Sequence, residues 1–202
     1  MLSITENPMQ KTILLFLLII LSAYKVTAQT TDTMVYNRYL DLNVAILEDK
    51  PDEAITIAES IMPDTASLPA KTRISFYSMA GKLYEDSEPA KAIKLYLKVA
   101  AAVPNYYVVH RALGYLYLKE AEELEKKLNT SPDKKQARTN YINAVKKVLP
   151  HLEKAQACDP SPETLEVITS LYKKINDNAG LNALNNRLKE RGKTCVDILE
   201  AQ

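Results

Sequence analysis

The sequence predicts an all-α protein built from stacked helix hairpins, and three observations carry that prediction. Apolar residues recur three and four apart from Thr30 onward, and no stretch alternates as a strand does. Pro63, Pro104 and Pro160 each follow an apolar helical stretch, where a proline stops a helix. A pattern of aromatic, small and glycine positions returns after 33 residues, from Gly81 to Gly114.

The elements follow in chain order. Residues 1–28 hold Lys11, an apolar run from Ile13 to Leu21, and a small-residue ending at Val26-Thr27-Ala28. That is the layout of a secretory signal peptide cut after Ala28, with Met9 as an alternative start. The run is shorter than the roughly 20 apolar residues a transmembrane helix needs. An uncleaved signal anchor is the alternative. No cysteine follows the run to take a lipid. Without Lys11, Lys25 and Glu6 the chain carries 24 basic and 24 acidic residues. A neutral balance without charged blocks argues against nucleic acid or an anionic membrane as partner. After cleavage no membrane span is expected, and residues 29–202 form one helical domain.

Helices are expected over 33–48, 52–62, 70–86, 89–103, 106–129, 133–158, 162–176 and 179–191. "YNRYLDLNVAIL" places Tyr36, Tyr39, Leu40, Asn43 and Leu47 three and four apart, and "RISFYSMAGKLY" does so with Ile74, Tyr77, Gly81 and Tyr84. Ser131-Pro132 and Ser161-Pro162 read as N-cap plus first-turn proline, and Glu163 suits the positive end of its helix. Short connections make consecutive helices antiparallel.

The repeat is specific in its spacing. Tyr77-x2-Ala80-Gly81-x2-Tyr84 returns as His110-x2-Leu113-Gly114-x2-Tyr117, and more faintly as Leu165-x2-Ile168-Thr169-x2-Tyr172. Ala92-x3-Tyr96 precedes Pro104 as Val148-x3-Leu152 precedes Pro160. A mid-helix glycine costs about 1 kcal/mol against alanine, so Gly81 and Gly114 need a packing reason. Close approach of the second helix, with Ala92 as the facing small residue, supplies one.

These residues resemble the tetratricopeptide repeat, a helix–turn–helix unit of about 34 residues. Residues 73–104 and 107–119 match well, 141–176 moderately and 34–63 weakly. The resemblance implies a right-handed solenoid of about four antiparallel hairpins. It makes Tyr77, Gly81, Tyr84, Ala92, Tyr96, Pro104, His110, Leu113, Gly114, Tyr117, Leu152, Pro160 and Tyr172 packing positions. It turns Leu40, Val44, Ser78, Lys82, Arg111, Tyr115 and Leu118 towards a concave groove that holds a protein segment. Members that clamp the carboxylate of chaperone tails use basic and amide side chains there. Leu40, Val44 and Ser78 cannot make that clamp, so this recognition is excluded. The terminal "LNALNNRLKERG" reads as a capping hairpin.

The third repeat departs from the pattern. Eight residues separate Tyr84 from Ala92, whereas 31 separate Tyr117 from Val148, a surplus of 23. The insert is highly charged, and Glu122 and Glu123 each stand four residues before Lys126 and Lys127, which supports a solvated helix. An elongated, protruding hairpin over about 119–141 is expected, either a docking arm or a solvated extension. Pro150 should kink the returning helix near His151.

Motifs for chemistry are absent from the sequence. His110 and His151 are far apart in the chain and in different slots, and there is no HExxH, CxxC or calcium loop. The four glycines make no phosphate loop, and there is no nucleophile elbow. No metal, cofactor or catalytic residue is expected. Cys158 and Cys195 fall at one end of the stack, so an exported chain either bridges them or leaves two thiols. The reading is therefore a non-catalytic interaction scaffold, exported to the periplasm, the outer membrane or beyond, with a protein or peptide partner. The alternative is a glycan- or peptide-binding accessory of a nutrient-uptake system, with a compact polar pocket around Ser78, Arg111 and Tyr115.

Overall fold

A computed structural model describes residues 32–197, and the expected leader lies outside them. The regular elements among the described residues are all helices, joined by turns, besides one isolated parallel bridge between Tyr106 and Val196. None of their helices is long and apolar enough to cross a membrane. The described residues divide into two compact units, one up to Arg73 and one from Ile74 onward.

In the first unit, α1 spans residues 32–47 and α2 spans Pro51–Ile61. Asp49 takes the left-handed conformation (φ 54°) that turns the chain between them. Pro51 opens α2, with Asp52 and Glu53 in the first turn, where a fixed φ and negative charge both suit a helix start. Val35, Leu42 and Ala45 of α1 and Ala54, Ala58 and Ile61 of α2 are buried. Arg38 donates to the Ser60 carbonyl (3.2 Å), tying the two helices. A 3-10 turn, Met62–Ser67, carries Pro63, and α3 (Ala70–Tyr84) begins at the end of this unit.

The second unit holds most of α3, then α4 (Pro89–Ala102), α5 (Tyr107–Lys126), α6 (Lys134–Cys158) and α7 (Pro162–Lys174). The terminal pair is α8 (Asn178–Asn182) and α9 (Leu184–Arg191). One helix was expected over 179–191; the structure breaks it at Ala183, which ends α8 and opens α9. The α7 cap is as written in the sequence: Ser161 Oγ accepts from the Thr164 amide (3.3 Å) ahead of Pro162. The α6 cap is not. Asp133, rather than Ser131, accepts from the Gln136 amide (2.8 Å). A carboxylate is at least as good an acceptor there and also meets the helix dipole.

Both long hairpins are antiparallel, and the same lock closes each. A Cβ on Gly81 would stand 2.7 Å from the Tyr96 ring, and one on Gly114 would stand 2.8 Å from Leu152 Cγ. The facing residue is thus a large one that fills the glycine notch, not the small Ala92 expected from the sequence. Tyr96 is fixed over Gly81 because its hydroxyl donates to Glu85 Oε1 (2.6 Å). Around Gly114, a core of Tyr141, Val145, Val148, Leu152, Ile168 and Leu171 joins α6 to α7.

Polar groups pin the terminal helices to α6. Glu153 is almost fully buried, and Arg187 grips it with two bonds, Nε to Oε2 (3.0 Å) and Nη2 to Oε1 (2.8 Å). The Tyr172 hydroxyl adds a third (2.6 Å), and Arg191 approaches to 3.4 Å. A buried carboxylate left without such partners would cost about 3–5 kcal/mol. Lys154 beside it is also buried and has no acid partner among the described residues. Its ammonium instead donates to Arg191 O, Thr194 O and Thr194 Oγ1 (3.0, 3.0 and 3.1 Å). Three donors meet three oxygens at the negative end of α9, which is how a buried cation is held without a counter-ion.

Candidate groove, histidine pair and acidic pocket

The first feature is an open groove of about 550 Å³ on the second unit. Ser78, Met79, Lys82 and Glu85 of α3 form one wall, and Val108, Arg111, Ala112, Tyr115 and Lys119 of α5 form the other. Helical spacing dictates this: residues three and four apart share a face, and these are the faces that the glycine locks leave free. Tyr96, Val109 and Leu116 lie in the floor. Val108 and Tyr115 are large apolar side chains that remain exposed, at 41% and 36%.

Four of the seven residues assigned to a groove from the sequence line this one: Ser78, Lys82, Arg111 and Tyr115. Leu118 does not. It lies about 60° round α5 from Tyr115, on the flank that α7 covers, and lines a separate pocket there. Leu40 and Val44 belong to the first unit, where both are exposed.

The charged walls are already engaged within the chain. Arg111 donates to Asp159 Oδ2 and to the Asp159 carbonyl, both at 2.6 Å, and so clamps the residue that ends α6. Its Nε is buried without a partner. Lys82 pairs with Glu85 (2.6 Å) and Lys119 with Asp86 (3.3 Å). The Tyr115 hydroxyl meets Thr164 Oγ1 (3.0 Å), which ties the groove wall to α7. Burial and the Glu85 carboxylate hold the Tyr96 hydroxyl well above its ordinary pKa, so it stays protonated.

The second feature was missed in the sequence. His110 and His151, expected to lie apart, face each other across α5 and α6 with their Nδ1 atoms 2.8 Å apart. His110 Nε2 is 2.9 Å from the Pro104 carbonyl, which can only accept, so the proton sits on Nε2. In the neutral pair His110 Nδ1 then accepts and His151 Nδ1 donates. Tyr117 covers His151, with ring centroids 5.6 Å apart. Burial lowers the pKa of both rings, and that of His151 falls to about 4, helped by His110 and Arg191. The signal that would have found this pair is register: His151 immediately precedes Leu152, the residue that fills the notch of Gly114.

No group of three His, Cys, Asp or Glu among the described residues is placed to hold a metal ion. The positive charges of Lys154 and Arg191 near the neutral imidazole pair disfavour a cation there. Its geometry suits packing.

The third feature is a pocket of about 210 Å³ between α5, α6 and α7, where Leu118 and Tyr141 meet Glu122, Glu125 and Glu166. Its base is braced: Lys174 pairs with Glu125 (2.8 Å), and Arg138 donates to the Lys174 carbonyl (2.7 Å). The charged insert of 119–141 therefore leans on α7 at its root.

The C-terminal segment closes one end of the α5–α6 hairpin. Cys158 and Cys195 are joined, with Cα atoms 5.5 Å apart. Beyond the bridge, the Val196 amide donates to the Asn105 carbonyl (3.0 Å) and Thr194 Oγ1 bonds Asn105 Oδ1 (3.1 Å). Asp197 takes a long bond from the Tyr107 hydroxyl (3.5 Å), and Tyr106 is buried beneath. Tyr106 and Tyr107 thus serve the fold, while Tyr115 alone of the three reaches the groove.

No family model, curated protein or solved structure matches this chain.

Proposed function

We propose that this chain is a non-catalytic interaction module of the tetratricopeptide-repeat kind, exported to a bacterial cell envelope, that holds a segment of another protein along the groove between α3 and α5. One observation carries the reading: the groove is open, apolar along its walls and floor, and rimmed by charges that neutralise one another within the chain. Its volume falls within the roughly 300–1,000 Å³ of sites that hold ligands. Val108, Met79, Ala112 and Tyr115 offer contact surface for side chains. A glycan site would want few apolar residues and convergent polar groups, and the walls here are the reverse.

Arg111 is a poor residue for the test, since replacing it would also release Asp159. Val108→Glu with Tyr115→Ala changes two exposed wall residues instead. Residues 29–202 would serve as bait on a crosslinked envelope extract, with the double variant beside them. A protein captured by the first bait and lost by the variant supports the groove. Capture indifferent to both changes, by a variant whose melting temperature is unchanged, overturns it.

A further inference from the structure

The acidic pocket between α5, α6 and α7 is separate from the groove and asks for a different ligand. Tyr141 lines it from α6 and is 1% exposed, yet its hydroxyl has no hydrogen-bond partner among the described residues. A buried hydroxyl left unsatisfied is costly, and native structures rarely leave one so. Burial and the nearby Glu125 push its pKa up to about 12, so it remains a neutral hydroxyl with a proton to give and lone pairs to offer.

The surroundings define what would meet it. Glu122 and Glu166 line the same pocket, and neither has an ion-pair partner among the described residues. Glu125 is already matched by Lys174. Two carboxylates with no hydrogen-bonded cation, Glu122 feeling Lys126 only at a distance, share a pocket with the hydroxyl and make a site for a cation with several N–H donors. Leu118, Val167 and Leu171 supply apolar wall, enough to take an alkyl stem. The space of about 210 Å³ is below that of a drug-sized ligand and suits one long side chain. Carboxylates on two different helices, α5 and α7, favour a compact ammonium with three rotatable donors over a flat guanidinium that wants one carboxylate edge-on.

We infer that this pocket binds a primary ammonium at the end of an alkyl chain, with Glu122 and Glu166 meeting the charge, Tyr141 completing its hydrogen bonds and Leu118, Val167 and Leu171 holding the stem. A lysine side chain of a partner protein and a free alkyl diamine share that chemistry. The site lies wholly on α5, α6 and α7 and does not depend on the α3–α5 groove, so either reading can fail alone.

The test is a titration of the isotope-labelled chain followed by amide chemical shifts. The probes are n-butylamine, a linear diamine, an acetylated lysine amide and n-butanol as the neutral control. Saturable shifts centred on residues 118–125, 141 and 166–171 are expected for the three amines and not for the alcohol. Tighter binding of the lysine amide names a protein partner; tighter binding of the diamine names a small molecule. Glu166→Gln should weaken binding about tenfold, as expected for one lost bond to a charged group. Tyr141→Phe should weaken binding while leaving the melting temperature unchanged or raised, since the hydroxyl it removes has no partner in the protein. Shifts that follow the alcohol as closely as the amines, or no saturable shift, overturn the inference. So does a Tyr141→Phe chain that melts lower and still binds, because the hydroxyl would then serve the fold alone.

Discussion

Mild acid should loosen this protein, and the histidine pair sets how much. His151 titrates near 4 in the folded chain, against about 6.5 for an ordinary histidine. The folded value lies below the unfolded one, so as pH falls the unfolded chain takes up the proton first. Stability is complete above about 6.5 and drains away as pH falls towards about 4. For one group with that shift, the loss between pH about 7.5 and about 5 is about 2 kcal/mol. His110, also lowered by burial, adds to it. Geometry gives the cause: with His110 Nε2 committed to Pro104, a second proton in the gap would set two N–H groups against each other at 2.8 Å. Lys154 and Arg191 face the pair and add repulsion; Tyr117 covers it without compensating charge. These are the only two histidines, the side chains whose ordinary pKa falls inside that window. Urea unfolding followed by circular dichroism at both pH values gives the difference, and a His151→Phe variant should abolish most of it. At about 2–4 °C per kcal/mol for a chain of this size, the melting temperature should fall by about 4–8 °C. Equal stability at the two pH values, or a His151 titration near 6.5 by NMR, would refute the argument.

The glycine lock and the disulfide give two more expectations. Gly114→Ala pushes a methyl into Leu152, and overpacking of this kind costs about 1–3 kcal/mol, offset by about 1 kcal/mol of helix propensity. A net loss in thermal melting is expected, and a gain would mean that Leu152 moves aside freely. Serine at both Cys158 and Cys195 opens a loop with a sequence separation of 37, which should cost about 3–4 kcal/mol on the chain-entropy account. Chemical denaturation of the oxidised and double-serine chains compares them; equal midpoints would show that Lys154 and the Asn105 contacts hold the end alone.

Much of the helix layout was legible because it rests on local chemistry. Pro51, Pro89 and Pro162 each open a helix, Ser161 caps one, and the 3.6-residue period marks what lies between. Four of the groove residues were legible for the same reason, since a face follows from spacing. Leu118 was misassigned because the side of α5 it occupies is decided by where α7 lands, and no local signal carries that. The partners of Glu153, Lys154 and the two histidines were hidden for a related reason. Each meets partners 19 to 41 residues away in the chain, and only the register between helices says who meets whom. Arg111 shows the limit from another side: its side chain lines the groove, but its charge belongs to Asp159.

That register was available in one place. From Gly81 to Gly114 the chain advances 33 residues, while from Tyr96 to Leu152 it advances 56, and the difference is the 23-residue insert. Each glycine nevertheless meets the counterpart residue on its second helix. The insert lengthened both helices of the hairpin without shifting the lock at its base, which means the notch, not the loop, sets how α5 and α6 align. A repeat held this way can accept new chain at its far end at little cost to its core, since longer loops add closure entropy only slowly. The added chain then brings what the repeat lacks. Glu122, Glu125 and Tyr141 all lie in or beside the insert, and they build the pocket with the unsatisfied hydroxyl. The residues that keep the pattern account for the fold, and those that break it assemble the polar chemistry that the fold leaves unused.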